Sequence, residues 1–414
     1  MLQLTKQAII MSKKYAVVCT NPPYMNKLEG TLKKFVVENY KPYSNDLFSV
    51  FMYRNFGFCK VDGYSSFMTP FVWMFIKTYE RLREYIISNK SITSLIQMEY
   101  SAFEEATVPI CSFILRNGKT NNKSLCFRLS AFKGGMEVQK QKVLEALENK
   151  DCSYFYEADE SMFFKIPGSP IAYWVNKNIL VAYESHLLSS FVSCKSGIMT
   201  GSDKYIKLWN EVDVKKIKFD CKSFKDMSDF KWFPLNSGGK FRKWYGNNIK
   251  VVNLWNNGQE IKNNVKNYRL RDSNLYFKPG ITWGRITSSQ IAFRNVVEGS
   301  LFGDAGPIAF INLGKEYVLG FLCSKVVKYL LEVTNPTLNF QVHDIMNLPL
   351  IKNDDISIFV ENYVNECIEI SRQDWDAFEI SWDFIVHPFI RVMKDIGNRN
   401  FVNKSVSFYN GDIS

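Results

Sequence analysis

Tyr15-Ala16-Val17-Val18-Cys19 runs through Thr20 into Asn21-Pro22-Pro23-Tyr24, an apolar stretch that stops against two consecutive prolines. Tyr15 to Cys19 reads as a short strand. Pro22 and Pro23 offer the ladder no N–H and restrict the residue in front of them, so the strand has to end in a loop there. Downstream, Asp46 is placed to cap a helix through Leu47, Phe48, Phe51 and Met52. Gly63 to Met68 reads as a second strand closed by Thr69-Pro70, and Phe71 to Ile87 has helical spacing with Phe71, Phe75, Leu82 and Ile86 on one face. Ser91 to Met98 and Val108 to Leu115 are two further strand candidates. Strand, helix, strand, helix, strand in this order implies the later part of an α/β sheet, which the chain joins midway.

Glu137 to Lys150 reads as a charged helix leaving this first region. From about Lys177 to Leu350 short apolar runs are broken by Gly, Asn and Ser, the texture of a second domain of irregular strands and long loops, with Val318 to Leu331 as an apolar helical interruption. From Ile351 the charge turns acidic and the tail is expected to be helical. The expected divisions are thus 1–135, a connecting segment 136–176, a second domain 177–350 and a helical segment 351–414.

The 414 residues suffice for more than one hydrophobic core, and 46% hydrophobic with 22% charged residues is the composition of a folded protein. The formal charge of +11 is localised: Lys204 to Arg285 holds 18 basic and 7 acidic side chains, a surplus equal to that of the whole chain. A phosphate backbone is the natural partner of such a field, with a solvated surface the plainer reading for any single Lys. Nine Cys without a Cys-x-x-Cys pair read as reduced thiols of a cytoplasmic protein. His186, His343 and His387 are too dispersed for a metal cluster, so no metal is expected. No apolar stretch approaches a membrane span.

Asn21-Pro22-Pro23-Tyr24 is also the stretch with the most specific chemistry. Adenine's exocyclic amine is a poor nucleophile because its lone pair is delocalised into the ring. Two acceptors near its protons, the Asn21 side-chain carbonyl and the Pro22 backbone carbonyl, favour a more tetrahedral nitrogen whose lone pair points at an electrophilic methyl group. Tyr24 is of the right kind to stack on an extruded base, worth about 1–3 kcal/mol. Asp46 and Phe48 would support the loop from behind, with Asp46 equally explicable as an N-cap. The competing reading is a structural turn in which Asn21 caps and the prolines end the strand.

These four residues resemble the catalytic motif of amino-group DNA methyltransferases acting on adenine N6. Asn45-Asp46-Leu47-Phe48, Gly63-Tyr64-Ser65-Ser66-Phe67-Met68-Thr69-Pro70 and Val108-Pro109-Ile110-Cys111-Ser112-Phe113-Ile114-Leu115-Arg116 look like the motifs that follow it in large enzymes of phage-exclusion and restriction systems. Gly197-Ile198-Met199-Thr200-Gly201, Lys278-Pro279-Gly280-Ile281-Thr282-Trp283 and Asn335-Pro336-Thr337-Leu338-Asn339-Phe340-Gln341-Val342 look like landmarks of their target-recognition domain, and Ser381-Trp382-Asp383-Phe384 like the segment after it. The best fit is the adenine-specific methyltransferases of BREX phage-defence systems. The resemblance implies a partial Rossmann-like class I methyltransferase domain, a mixed α/β target-recognition domain and a helical tail. It implies S-adenosylmethionine as methyl donor, site-specific methylation of adenine N6 in double-stranded DNA, and other BREX defence proteins as partners.

In that family a glycine-rich loop for S-adenosylmethionine and an acidic residue for its ribose precede the catalytic motif, and Ala8 to Lys14 contains no glycine. The chain therefore reads as a fragment without its N-terminal cofactor-binding half. It is expected to be inactive alone and to need a complementing N-terminal fragment. The alternative is a non-catalytic DNA-binding or assembly component derived from such an enzyme. Within the basic region Arg242, Lys243, Lys250, Arg269, Arg271 and Arg285 are the expected DNA contacts, mostly to phosphate and in part to base edges. Trp244, Tyr245, Trp255 and Trp283 either stack near the flipped base or fill a core, and Asn335-Pro336-Thr337 shapes a turn beside the DNA or simply caps a helix. A nuclease is disfavoured because no Asp/Glu-x-Lys arrangement sits in a strand context.

Overall fold

A computed structural model describes residues 2–100, 108–227, 229–287, 290–312 and 314–396. The chain divides into two compact units, 1–185 with 332–336, and 186–331 with 337–414. The expected helical segment 351–414 lies beyond the described residues from 397 onward.

Unit 1 holds helices α1 (Leu2–Ser12), α2 (Gly30–Tyr40), α3 (Leu47–Phe56), α4 (Glu80–Asn89), α5 (Gly135–Glu148) and α6 (Lys177–Ala182). Its strands are β1 (Tyr15–Thr20), β2 (Cys59–Pro70), β3 (Ser91–Gln97), β4 (Ile110–Arg116), β5 (Ser124–Arg128) and β6 (Phe155–Ala158). They form one sheet in the order β1-β2-β4-β3-β5-β6. The β1/β2 and β3/β5 pairs are parallel and the other neighbours antiparallel. β1 is the end strand, and among the described residues it pairs only with β2. Gly63 makes that pairing possible: a Cβ there would stand 2.6 Å from the Ala16 carbonyl oxygen, at the point where the register slips between Tyr15 and Val17.

The core of unit 1 forms where α3 and α4 cover the sheet with Phe48, Met52, Leu82 and Ile86 against Phe67, Leu95 and Phe113. Burial of each such side chain contributes about 1.5–3 kcal/mol. Phe113 is in ring contact with Phe67 at 5.3 Å and Trp73 at 4.9 Å. Two expectations need correction here. The strand starting near Gly63 is longer, running from Cys59 through Thr69 and Pro70. The single helix over Phe71 to Ile87 is instead two 3-10 turns, Phe71–Met74 and Lys77–Tyr79, followed by α4. At the break sits Arg83, whose guanidinium donates to the carbonyls of Trp73 (2.7 Å), Ile76 (2.8 Å) and Gly168 (2.6 Å). It occupies the Trp73 carbonyl and shares the Ile76 carbonyl with the Tyr79 amide, and burial pushes the guanidinium down to about 10. The segment expected as a connector, 136–176, adds most of α5 and the edge strand β6 to unit 1.

Unit 2 contains β7 (Val192–Lys195), β8 (Ile206–Leu208), β9 (Trp232–Asn236), β10 (Lys250–Asn253), β11 (Gly280–Trp283), β12 (Phe293–Val296), β13 (Leu301–Phe302) and β14 (Ile308–Ile311). They make two four-stranded sheets, β13-β9-β10-β8 and β12-β11-β14-β7. Its helices are α7 (Trp255–Asn264), α8 (Lys315–Leu322), α9 (Lys325–Thr334, which runs past Leu331 into unit 1), α10 (Val342–Met346), α11 (Asp354–Asp376) and α12 (Pro388–Ile396). The apolar helix expected over Val318 to Leu331 is two helices, with the Ser324 hydroxyl accepting from the Val327 amide at the break. The mixed α/β class expected from the sequence holds throughout. No helix among the described residues is long and apolar enough to cross a membrane.

Candidate active site and nucleic-acid interface

Asn21 follows directly on β1, and residues 21–29 have no regular secondary structure. Pro22 is buried while Asn21, Pro23 and Tyr24 are exposed, so the loop is anchored by its first proline and presents its polar group outward. Asp46 holds the loop from behind. One carboxylate oxygen accepts from the amides of Met25 (2.9 Å) and Phe48 (3.2 Å), and the Leu47 amide donates to the Met25 carbonyl at 3.0 Å. Asp46 is therefore the N-cap of α3 and is also bonded to the loop at the Met25 amide. Burial raises its carboxyl above the ordinary carboxylate range, and the amide bonds from Met25, Phe48 and Leu47 act against that rise.

Phe48 is 1% exposed and meets the Tyr24 ring edge to face, with centroids 6.4 Å apart. The Tyr24 hydroxyl is shared between the Met68 carbonyl at 3.2 Å and the Asn21 side-chain oxygen at 3.3 Å. Burial, then Cys111, pushes that hydroxyl up from its ordinary value. The ring remains 39% exposed. Asn21, Tyr24, Asp46 and Phe48 thus form one assembly, and the Asn21 oxygen, holding one long hydrogen bond, keeps a lone pair for a further donor.

The six basic residues named from the sequence do not form one cluster. Arg242 donates to the carbonyls of Tyr245 (3.1 Å) and Ser371 (3.4 Å), pairs with the Asp374 carboxylate and lies over the Trp375 ring at 5.0 Å. Lys243 donates to the Cys323 carbonyl at 2.6 Å. Both side chains are committed to internal packing of unit 2, Arg242 as the anchor of α11. Lys250 is half-buried on β10.

Arg269, Arg271 and Arg285 instead converge. Arg269 and Arg285 each reach one oxygen of Asp304 at 2.5 Å, and Arg271 donates to the Gly197 carbonyl at 3.1 Å. Backbone bonds tie this locus together: Met199 pairs with Arg269, Asp304 donates to Ile198, Arg285 donates to Ala305, and Phe340 donates to Arg285. Gly197 permits the approach, since a Cβ there would sit 2.1 Å from the Phe302 carbonyl oxygen. Gly197 to Gly201 and Leu338 to Phe340, far apart in the sequence, are thereby neighbours of one basic cluster. Burial, then the neighbouring Arg269, lowers Arg271 from its ordinary value.

Of the four aromatics, Trp283 is fully buried and donates from Nε1 to the Phe340 carbonyl, and Tyr245 is 4% exposed. Both fill the core, which removes them as stacking surfaces. Trp255 is 41% exposed and Trp244 half-buried, with its backbone at a positive φ of 69°. Thr337 accepts from the Asn339 amide, a local turn. Asp304 was missed by the sequence reading. Its signal is an acid between glycines, Gly303-Asp304-Ala305-Gly306, in a chain whose basic surplus draws attention to the cations alone. No His, Cys, Asp and Glu group among the described residues is arranged to hold a metal ion.

Residues 3–103 match the Eco57I restriction-modification methylase family. Over 390 residues the chain is 35% identical to the adenine-specific methyltransferase PglX of Lacticaseibacillus casei (strain Zhang), covering 90% of this chain and 32% of that protein. It is 31% identical over 396 residues to the adenine-specific methyltransferase BrxX of Escherichia coli O9:H4 (strain HS), covering 93% and 31%. Among solved structures, the type IIL restriction-modification enzyme MmeI in complex with DNA superimposes with a TM-score of 0.57 at 11% identity, over 89% of this chain and 50% of that one. The DrdV–DNA complex gives 0.51 at 11% identity, over 89% and 45%. These superpositions establish a shared fold. The chain spans about a third of the length of the curated relatives it matches. By sequence it is therefore related, over nine-tenths of its own length, to the adenine-specific methyltransferases PglX and BrxX.

Proposed function

We propose that this chain carries the base-holding part of a class I, Rossmann-like DNA methyltransferase that modifies adenine N6 in duplex DNA, as the site-specific methylating component of a BREX phage-defence or restriction-modification system. The observation that carries the reading is the Asn21-Pro22-Pro23-Tyr24 loop at the end of β1, anchored by buried Pro22, exposing Asn21 and Tyr24, and braced by Asp46. An extruded adenine places its amine against the Asn21 and Pro22 carbonyls, which accept its two protons and localise the lone pair. Tyr24 covers the base, and its hydroxyl bond to Met68 fixes the ring position. The amine loses its extra proton readily once methylated, so orientation rather than a strong base is the chain's task.

S-adenosylmethionine supplies the electrophilic methyl carbon when bound. The described residues around the loop do not fit it. The first glycine after the motif, Gly30, opens α2 from an irregular segment and not from a strand, and its Cα faces open space. Residues outside the described ones, in this chain or another, are required to hold S-adenosylmethionine. The basic locus of unit 2 is the proposed duplex contact.

The test is a chimera in which this chain replaces the matching third of the L. casei relative, assayed for tritiated methyl transfer to duplex DNA. Transfer that appears with the chimera and vanishes with Asn21→Ala is expected. Duplex binding without transfer would leave the non-catalytic DNA-binding reading in its place, and transfer that survives Asn21→Ala would remove the assigned chemistry.

A further inference from the structure

Asp304 is an acid set between two arginines of the basic region, and backbone bonds fix its place. Its amide donates to the Ile198 carbonyl at 2.9 Å, the amide of Gly303 donates to Asn236 at 2.7 Å, and Ala305 accepts from the Arg285 amide at 3.0 Å. The carboxylate, 17% exposed, is thus fixed from its own backbone. It splits its two oxygens between two guanidinium groups, Arg269 at 43% exposure and Arg285 at 28%. Arg285 Nε is buried without a protein acceptor.

A surface built to hold phosphates gains nothing from a fixed carboxylate, which repels the ligand and neutralises one of its own cations. A surface built to read bases does gain. Base edges are neutral, so the repulsion is small, and a guanidinium held along one edge presents its remaining N–H donors in a fixed plane, the geometry that fits guanine O6 and N7. We propose that Asp304 is the positioning residue of a base-reading centre, holding Arg269 and Arg285 so that their outward donors recognise a guanine in the target duplex. Arg271, bonded to the Gly197 carbonyl, supplies phosphate attraction beside it. This rests on the reading of unit 2 as a duplex contact, and it adds that the recognised sequence contains at least one G·C pair read here.

The experiment selects bound duplexes from a random pool with the full chain and sequences them. Wild type enriches a sequence with an invariant G·C pair. Asp304→Asn, with an unchanged melting temperature, loses about 10-fold or more of the preference at that one position, as expected for a broken bidentate contact. Its affinity for random duplex stays level or rises, because a negative charge has gone. Arg285→Lys keeps the charge but not the planar fork, and it loses the same preference. Charge-matched Asp220→Asn leaves the selected sequence unaltered. If Asp304→Asn weakens selected and random duplexes in parallel, or selects the same sequence with wild-type enrichment, or if Arg285→Lys reads the position normally, the assignment of Asp304 is overturned while duplex binding stands. If wild type enriches no sequence, the duplex reading of unit 2 falls, and Asp304 with it.

Discussion

The proline loop of unit 1 and the basic locus of unit 2 are built in opposite ways. In the first, Asn21, Tyr24, Asp46 and Phe48 lie within 28 residues of one another, and one strand, one loop and one helix cap bring them together. In the second, Gly197, Arg269, Arg285, Asp304 and Phe340 come from five separated segments, joined by a few backbone bonds and a carboxylate. A site made from short-range pieces can be read from its residues. A site made from long-range pieces can be read only as a surplus of charge, and that surplus includes cations such as Arg242 that serve the interior.

The second region depends on one close backbone approach, at Gly197. Gly197→Ala drives a methyl group against the Phe302 carbonyl, and backbone cannot step aside as a side chain can. A loss of about 3 kcal/mol, the upper end for overpacking, is expected together with loss of duplex binding, and a thermal melt of the variant checks it. A wild-type melting temperature would mean that the five segments do not meet as described.

Next in size, Arg242→Ala and Arg271→Ala separate the two uses of a cation. Arg242→Ala removes two carbonyl bonds, the Asp374 pair and the Trp375 contact, so stability falls by about 2 kcal/mol. The slope of log duplex affinity against log salt should not move. Arg271→Ala should cost little stability and reduce that slope by about 0.9, the effect of one phosphate contact. Fluorescence anisotropy across a salt series reads both, and a reversal of the two results would exchange their roles.

How much of this was legible follows the same division. β1, β3, β4 and the Asp46 cap follow from runs and caps confined to a few residues. The break of Phe71 to Ile87 into 3-10 turns does not: Arg83 at the break bonds a carbonyl as distant as Gly168, and no local pattern announces an arginine that pairs with backbone. In unit 2 the strands are two to five residues long, too short for a period, and Trp283 looks like a stacking surface until β11 is seen to bury it. The loop's Asn21 and Tyr24 were legible as residues, and their mutual hydrogen bond was not.

The smallest effects test the brace behind the loop. Asp46→Ala loses a cap and the Met25 bond, about 1 kcal/mol, whereas Asp46→Asn keeps an acceptor and should be near neutral at pH 7. Burial raises the folded carboxyl above its unfolded value of about 3.9, so the folded chain binds the proton more tightly there. Asp46 thus contributes most stability below that unfolded value, and the contribution is lost as pH rises through the folded one. Urea unfolding at several pH values should show wild type losing stability relative to Asp46→Asn across that rise. A parallel pair of curves would show that the carboxyl is not raised.

The proposed function gives Asn21 the role of hydrogen-bond acceptor for an adenine amine. The most direct measurement quantifies N6-methyladenine by mass spectrometry in DNA modified by the chimera carrying wild-type Asn21, Asn21→Asp or Asn21→Ala. The acceptor account predicts that Asp, which keeps an oxygen at that place, retains measurable transfer, while Ala falls about 100-fold or more, the scale for loss of one transition-state hydrogen bond. Equal N6-methyladenine from Ala and wild type would contradict it.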